Sequence, residues 1–166
     1  MTDREQCFAI YRAAFGDSGE FDTRLFGEFF DCCKYIKSGD TVASMLFALP
    51  CTLCIDGQRY PCRYIYAAAT EERYRGRGYM TSLLSRQEGT LILKPADDSL
   101  IEFYNKCGFR AFTAVRSLTG ERYVEADGKL ADLAAGGNVD GTAYTAMIRS
   151  ELPLDTDGLC FAYTME

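Results

Sequence analysis

Arginines and glycines alternate in Arg73-Tyr74-Arg75-Gly76-Arg77-Gly78-Tyr79-Met80, and their neighbours give the pattern its chemistry. Upstream, residues 63–70 (Arg-Tyr-Ile-Tyr-Ala-Ala-Ala-Thr) read as a buried strand. Downstream, Tyr79, Met80, Leu83, Leu84 and Gln87 fall on one helical face. A strand, a turn with two glycines and a helix start gather backbone N–H groups and the positive end of a helix dipole in one place. Such a cradle suits an anion, above all a phosphate. Gly76 and Gly78 let the backbone approach it closely, and Arg73, Arg75 and Arg77 add positive charge. The named phosphate loops do not fit: no Gly-Lys-Ser/Thr follows, and the third glycine of a dinucleotide fingerprint falls on Thr81. Taken alone, the stretch also fits a tight strand-to-helix turn with solvated arginines.

A second segment carries a candidate acid. In residues 100–109 (Leu-Ile-Glu-Phe-Tyr-Asn-Lys-Cys-Gly-Phe), Leu100, Phe103, Tyr104 and Cys107 share a helical face. Ser99-x-x-Glu102 reads as a capping box, and Gly108 fits the left-handed position that ends a helix. One strand-like run, Thr90 to Lys94, separates the two segments. In this order, Arg73-x-x-Gly-x-Gly-Tyr-Met and Phe103-Tyr-x-Lys-x-Gly-Phe resemble the acyl-CoA pyrophosphate loop and the Phe-Tyr-x-Lys-x-Gly-Phe segment of the GNAT superfamily of N-acetyltransferases. The resemblance covers about residues 41–113.

That resemblance implies an α+β fold: a GNAT-like mixed, mostly antiparallel sheet with helices packed on both faces. It implies acetyl-CoA as co-substrate and transfer of the acetyl group to a primary amine on a small molecule or peptide. The alternative is a module of the same fold that binds acyl-CoA as a sensor or scaffold without turnover. By resemblance, the backbone of Arg75, Gly76, Arg77, Gly78, Tyr79 and Met80 holds the pyrophosphate. Ala67, Ala68 and Ala69 hold the pantetheine arm and polarise the thioester through main-chain atoms. Tyr104 matches the family's general acid; the alternative is that it simply packs with Phe103 and Leu100. A phenol near pKa 10 facing a thiolate whose conjugate acid is about 8.5 is uphill by roughly 2 kcal/mol, which favours a hydrogen bond with late proton transfer. An amine also has to lose a proton before it attacks. With no histidine in the chain, the candidates are Glu71, Glu28, a water chain or the C-terminal carboxylate after Glu166.

The elements that position these groups read as follows. Thr2-x-x-Glu5 opens a helix with Phe8, Tyr11 and Phe15 at helical spacing, broken at residues 16–19. A second helix runs from about Thr23 with Leu25, Phe26, Phe29, Phe30 and Cys33 on one side. After a turn at residues 38–40 come strand runs at 42–49 and 52–55, a hairpin signal at Asp56-Gly57 and a returning strand at 58–70. The helix after the glycine loop is expected to end near Gly89, about one residue before the next strand. Residues 112–118, 143–149 and 159–164 read as late strands, and 120–141 as an acidic, Gly-rich loop. Three departures from the family pattern stand out: no strand before the first helix, a brief helix after the loop, and a divergent C-terminus. The expectation is one GNAT-like domain over 1–166, with N-terminal helices (1–39), an acyl-CoA-binding core (40–114) and a divergent C-terminal segment (115–166).

Composition narrows the classes further. Nearly half of the 166 residues are apolar and no apolar run is long enough to span a bilayer, which predicts a globular chain without a membrane partner. The start Met1-Thr2-Asp3-Arg4 does not read as a signal peptide, and the cytoplasm is the expected compartment. The net charge of −6 arises in the C-terminal segment, and no basic stripe with interleaved aromatics points to nucleic acid. A homodimer remains open. Eight cysteines suggest free thiols in a reducing cytosol with no required disulfide. Cys51-x-x-Cys54 lies in a strand-like run, where positions three apart face opposite sides, so no metal site is expected.

Overall fold

The structure, a computed structural model, describes residues 1–16, 19–55, 58–116, 143–152 and 160–165. The chain forms two compact units, Met1–Ala48 with Ile65–Gln87, and Leu49–Tyr64 with Glu88–Glu166. The expectations for Asp56-Gly57, for residues 120–141 and for the C-terminal carboxylate of Glu166 lie outside the described residues.

The first unit opens with α1 (Asp3–Phe15), the first element of the chain. Its capping box forms as the sequence predicts: Glu5 N–H donates to Thr2 Oγ1 at 3.1 Å, and Thr2 N–H donates to Glu5 Oε2 at 2.7 Å. Gly16, at φ 81°, ends the helix. Cys7, Ile10 and Tyr11 face inward, whereas Phe15 is 46% exposed. Helix α2 (Glu20–Glu28) buries Phe21, Leu25 and Phe26. Phe26 anchors the core, with ring centroids 4.8 Å from Phe8, 5.3 Å from Tyr11 and 5.3 Å from Phe47.

The helix expected to carry Phe29, Phe30 and Cys33 stops earlier. A 3-10 turn at Phe30–Cys32 follows α2, and the chain then forms strand β1 (Cys33–Ser38). Apolar residues at helical spacing masked this strand. Its signal was the turn after it: with Gly39 at φ 60°, residues 38–41 close a hairpin that pairs Ser38 with Thr41 and Cys33 with Phe47.

Strand β2 (Thr41–Ile55) and strand β3 (Gln58–Thr70) are hydrogen-bonded neighbours. The two runs expected at 42–49 and 52–55 are one strand, passing through an exposed Pro50. Residues 42–49 are all buried, the signature of a strand covered on both faces. The C-terminal part of β3 leads into a 3-10 turn at Glu72–Tyr74, the glycine loop and α3 (Tyr79–Ser85).

Helix α3 ends at Ser85 rather than near Gly89. Gln87 lies beyond it, and its Nε2 donates to Leu83 O at 3.0 Å, satisfying a carbonyl of the last turn. In the second unit β4 spans only Leu91–Leu93, all buried, so residues 86–90 separate α3 from β4 instead of a single residue. Helix α4 (Ile101–Lys106) follows a 3-10 turn at Asp98–Leu100. The capping box expected at Ser99 is absent; Asp97 caps this turn by accepting from Ser99 N–H at 2.9 Å.

Strands β5 (Arg110–Arg116), β6 (Ala143–Arg149) and β7 (Cys160–Met165) complete the second unit. Strand register makes β3–β4 and β5–β7 parallel, and β4–β6, β5–β6 and β2–β7 antiparallel. The expected mixed, mostly antiparallel sheet is therefore present. Pairing runs from β2 through β3, β4, β6, β5 and β7 and returns to β2, where Cys51 pairs with Met165. This return makes the C-terminal strands unlike a plain terminal hairpin.

Candidate active site

In the first unit, the glycine loop is tethered at its start. Glu71 N–H donates to Ala43 O on β2 at 2.8 Å. The Glu71 carboxylate accepts from Arg73 N–H at 2.8 Å and from Arg73 Nε at 3.1 Å, capping the 3-10 turn. Arg75 Nε donates to Thr70 O at 3.2 Å. Arg73 and Arg77 both lie over the Tyr74 ring, at 5.5 and 5.8 Å, and Tyr74 meets Tyr79 edge-on at 5.5 Å.

Within this frame Gly76 (φ 74°) and Gly78 (φ 82°) hold left-handed conformations that a side chain disfavours. Gly78 directly precedes α3, whose first internal bond is Ser82 N–H to Gly78 O at 2.9 Å. Among the described residues, the backbone N–H groups of Gly76, Gly78, Tyr79 and Met80 donate to no protein acceptor. Four free donors on an exposed, arginine-flanked turn are what a phosphate oxygen cluster requires.

Just upstream, Ala67 sits within β3 at φ 56°, the single non-glycine residue with positive φ among those described. Left-handed alanine costs about 1–2 kcal/mol, so the strand carries local strain where the family resemblance implies a ligand-binding backbone. Ala67 and Ala68 are half-buried, and Ala69 is buried.

Tyr104 belongs to the second unit. The Lys-x-Gly-Phe part of its segment forms a Schellman stop: Phe109 N–H donates to Tyr104 O at 3.0 Å and Gly108 N–H to Asn105 O at 3.1 Å, with Gly108 at φ 90°. The expected left-handed Gly108 is therefore present. The motif's apolar contact is Phe109 on Tyr104, with centroids 5.7 Å apart; Phe103 adds a second edge-on contact at 5.2 Å. Tyr104 is 8% exposed, and its hydroxyl has no hydrogen-bond partner among the described residues. Burial, reinforced by the nearby Cys107 thiol, pushes its pKa up to about 12.

Both carboxylates expected as bases are engaged elsewhere. Glu71 caps its turn and pairs with Arg73, and Glu28 pairs with Arg24 one helical turn away at 3.1 Å. Ala67–Ala69, Glu28, Glu71 and Arg75–Met80 all lie in the first unit.

A family model described as an acetyltransferase (GNAT) domain matches residues 1–111. The chain belongs to the GNAT acetyltransferases. Both segments singled out in its sequence lie within that match. Comparison with curated protein sequences gives no match. Among solved structures, this GNAT chain is similar to a GCN5-related N-acetyltransferase from Anabaena variabilis, at 23% identity and TM-score 0.54, over 66% of this chain and 31% of that one. It is similar to a probable N-acyltransferase from Enterococcus faecalis at 19% identity and TM-score 0.54, over 71% and 36%. It is similar to a protein described as histone acetyltransferase HPA2 and related acetyltransferase from Corynebacterium glutamicum, over 92% of this chain and 94% of that one, at 13% identity and TM-score 0.54. These likenesses concern the fold. The chain spans about a third of the length of the first two of these structures.

Sequence reasoning missed one buried polar cluster in the first unit. Asp22 of α2 is 1% exposed, and the Tyr11 hydroxyl of α1 bonds with it and with Tyr66 of β3. Burial raises the Tyr11 pKa, as the neighbouring Tyr66 and Asp22 do further; burial likewise raises that of Tyr66. The available signal was Asp22 itself, which falls with Phe21, Leu25 and Phe26 on the inward face of its helix.

Proposed function

We propose that this GNAT domain transfers the acetyl group of acetyl-CoA to a primary amine of a small molecule or peptide. The observation that carries the proposal is the set of free N–H groups at Gly76, Gly78, Tyr79 and Met80 on an arginine-flanked turn. In this reading the loop holds the CoA pyrophosphate, and the backbone of Ala67–Ala69, strained at Ala67, faces the pantetheine arm and thioester. The amine attacks as the neutral base, the C–S bond breaks, and the departing thiolate takes up a proton. Tyr104 donates a hydrogen bond to the developing thiolate. A phenol held near 12 is a poor source of an early proton, and its unpartnered hydroxyl remains available as a donor. With Glu71 and Glu28 tied into ion pairs, water is the assigned acceptor of the amine's first proton.

That raised pKa also supports a second reading, a module that binds acyl-CoA without turning it over. One experiment separates the two. Thermal scans with acetyl-CoA and with CoA report binding; for micromolar affinity, millimolar ligand adds about 4 kcal/mol of stability by mass action. Thiol release across a panel of amines reports turnover. A thermal shift with no thiol release selects the binding module, and no shift with either ligand rejects both readings.

A further inference from the structure

Cys51 of β2 and Cys62 of β3 lie in the second unit with their Sγ atoms 2.7 Å apart. That separation is far inside ordinary contact between unbonded sulfurs, and a relative movement below about 1 Å brings it to bonding distance. Both thiols are buried, Cys51 at 2% and Cys62 at 7% exposure, and both are unoxidised in this structure. The strands that carry them are hydrogen-bonded neighbours, so the pair is held together by the fold itself. Nothing in the proposed acetyl transfer uses either residue.

We propose that Cys51 and Cys62 form a reversible dithiol–disulfide site whose oxidant is a low-molecular-weight disulfide of the glutathione class. The more exposed Cys62, as thiolate, attacks one sulfur of that disulfide; the small molecule's S–S bond breaks, and its other half leaves as a thiolate and takes a proton. Cys51 then attacks Cys62 Sγ in the mixed disulfide, the protein S–S bond forms, and the second half leaves as thiol. Two protein thiols are oxidised and one small disulfide is reduced to two thiols, so atoms and electrons balance. Burial limits access, which makes the exchange slow rather than immediate. Another buried pair among the described residues, Cys7 and Cys33, behaves differently. The Cys33 thiol is held far above its ordinary pKa, first by a hydrogen bond with Cys7 and then by burial, so it supplies little thiolate.

The test uses the full chain, fully reduced and then incubated with excess oxidised glutathione, quenched in acid and denatured. The expected product has lost two of the eight thiols and is about 2 Da lighter, with no glutathione retained. Cleavage after Lys37, Arg59 and Arg63 should leave peptides 38–59 and 60–63 joined until a dithiol reductant separates them. Because Cys54 shares a peptide with Cys51, Cys54→Ser must keep the link and Cys51→Ser must lose it. Oxidised wild type should melt about 5 °C higher than reduced, since the bond restrains the unfolded chain between residues 51 and 62. Eight titratable thiols after oxidation, stable glutathione adducts without a joined peptide, or a link lost in Cys54→Ser would each overturn the proposal. The Cys54→Ser arm decides the pairing even where Cys51→Ser fails to fold.

Discussion

Replacing Tyr104 by phenylalanine removes one hydroxyl and keeps the ring that packs on Phe103 and Phe109. Because that hydroxyl bonds to no described residue, its loss strands no partner, and stability should stay level or rise slightly. The catalytic effect follows from the acidity of the group. With the phenol at about 12 and a thiol at about 8.5, complete proton transfer is uphill by about 3.5 units, or roughly 5 kcal/mol. Tyr104 therefore contributes a charge-assisted hydrogen bond, worth about 1.5–3 kcal/mol, and the expected loss in kcat is about 10- to 150-fold. Single-turnover acetyl transfer by Tyr104→Phe and wild type, with melting temperatures measured in parallel, checks the argument. Wild type should show no falling limb from Tyr104 until the pH approaches 12, because the buried phenol keeps its proton. A folded variant with undiminished single-turnover rate refutes the role. A limb near pH 9 that vanishes in the variant would refute the raised pKa.

Gly76→Val places a β-branched residue at φ 74°; its Cβ meets no atom within 4 Å, so the cost is backbone strain of about 2 kcal/mol, seen as a lower melting temperature and loss of the acetyl-CoA-induced shift. Ala67→Gly relieves a left-handed alanine and should stabilise the fold by up to about 1 kcal/mol in urea titration, whereas Ala67→Val should destabilise it. Alkaline titration should weaken the protein. Tyr104 stays protonated in the folded state up to about 12 but only to about 10 when unfolded, so its contribution is intact below 10 and about 3 kcal/mol is lost as pH rises through 12; denaturation of wild type and Tyr104→Phe across that range measures it.

Local chemistry was legible where local bonds decide the structure. The Thr2 capping box, the glycine loop and the left-handed Gly108 each depend on residues within a few positions, and each forms. The same reasoning failed where two local solutions competed. Ser99 and Asp97 are both able to cap the turn before α4, and the carboxylate prevailed over the hydroxyl. Residues 29–33 kept a helical spacing, yet pairing of Cys33 through Ser38 with β2 outweighed it.

Long-range groupings left weaker traces. Asp22, Tyr11 and Tyr66 come from three elements, and a sequence shows only that one acid falls on an apolar face. The cysteines illustrate the same limit. Cys51-x-x-Cys54 drew attention because the two are close in sequence, but a strand sends such positions to opposite faces. The thiol that meets Cys51 is Cys62, brought back by the return of β3. Between paired strands, spatial partners are set by register rather than by sequence proximity. Cysteine spacing in a strand-rich segment therefore has to be read across neighbouring strands, and that reading turns an unpromising metal motif into a cross-strand dithiol.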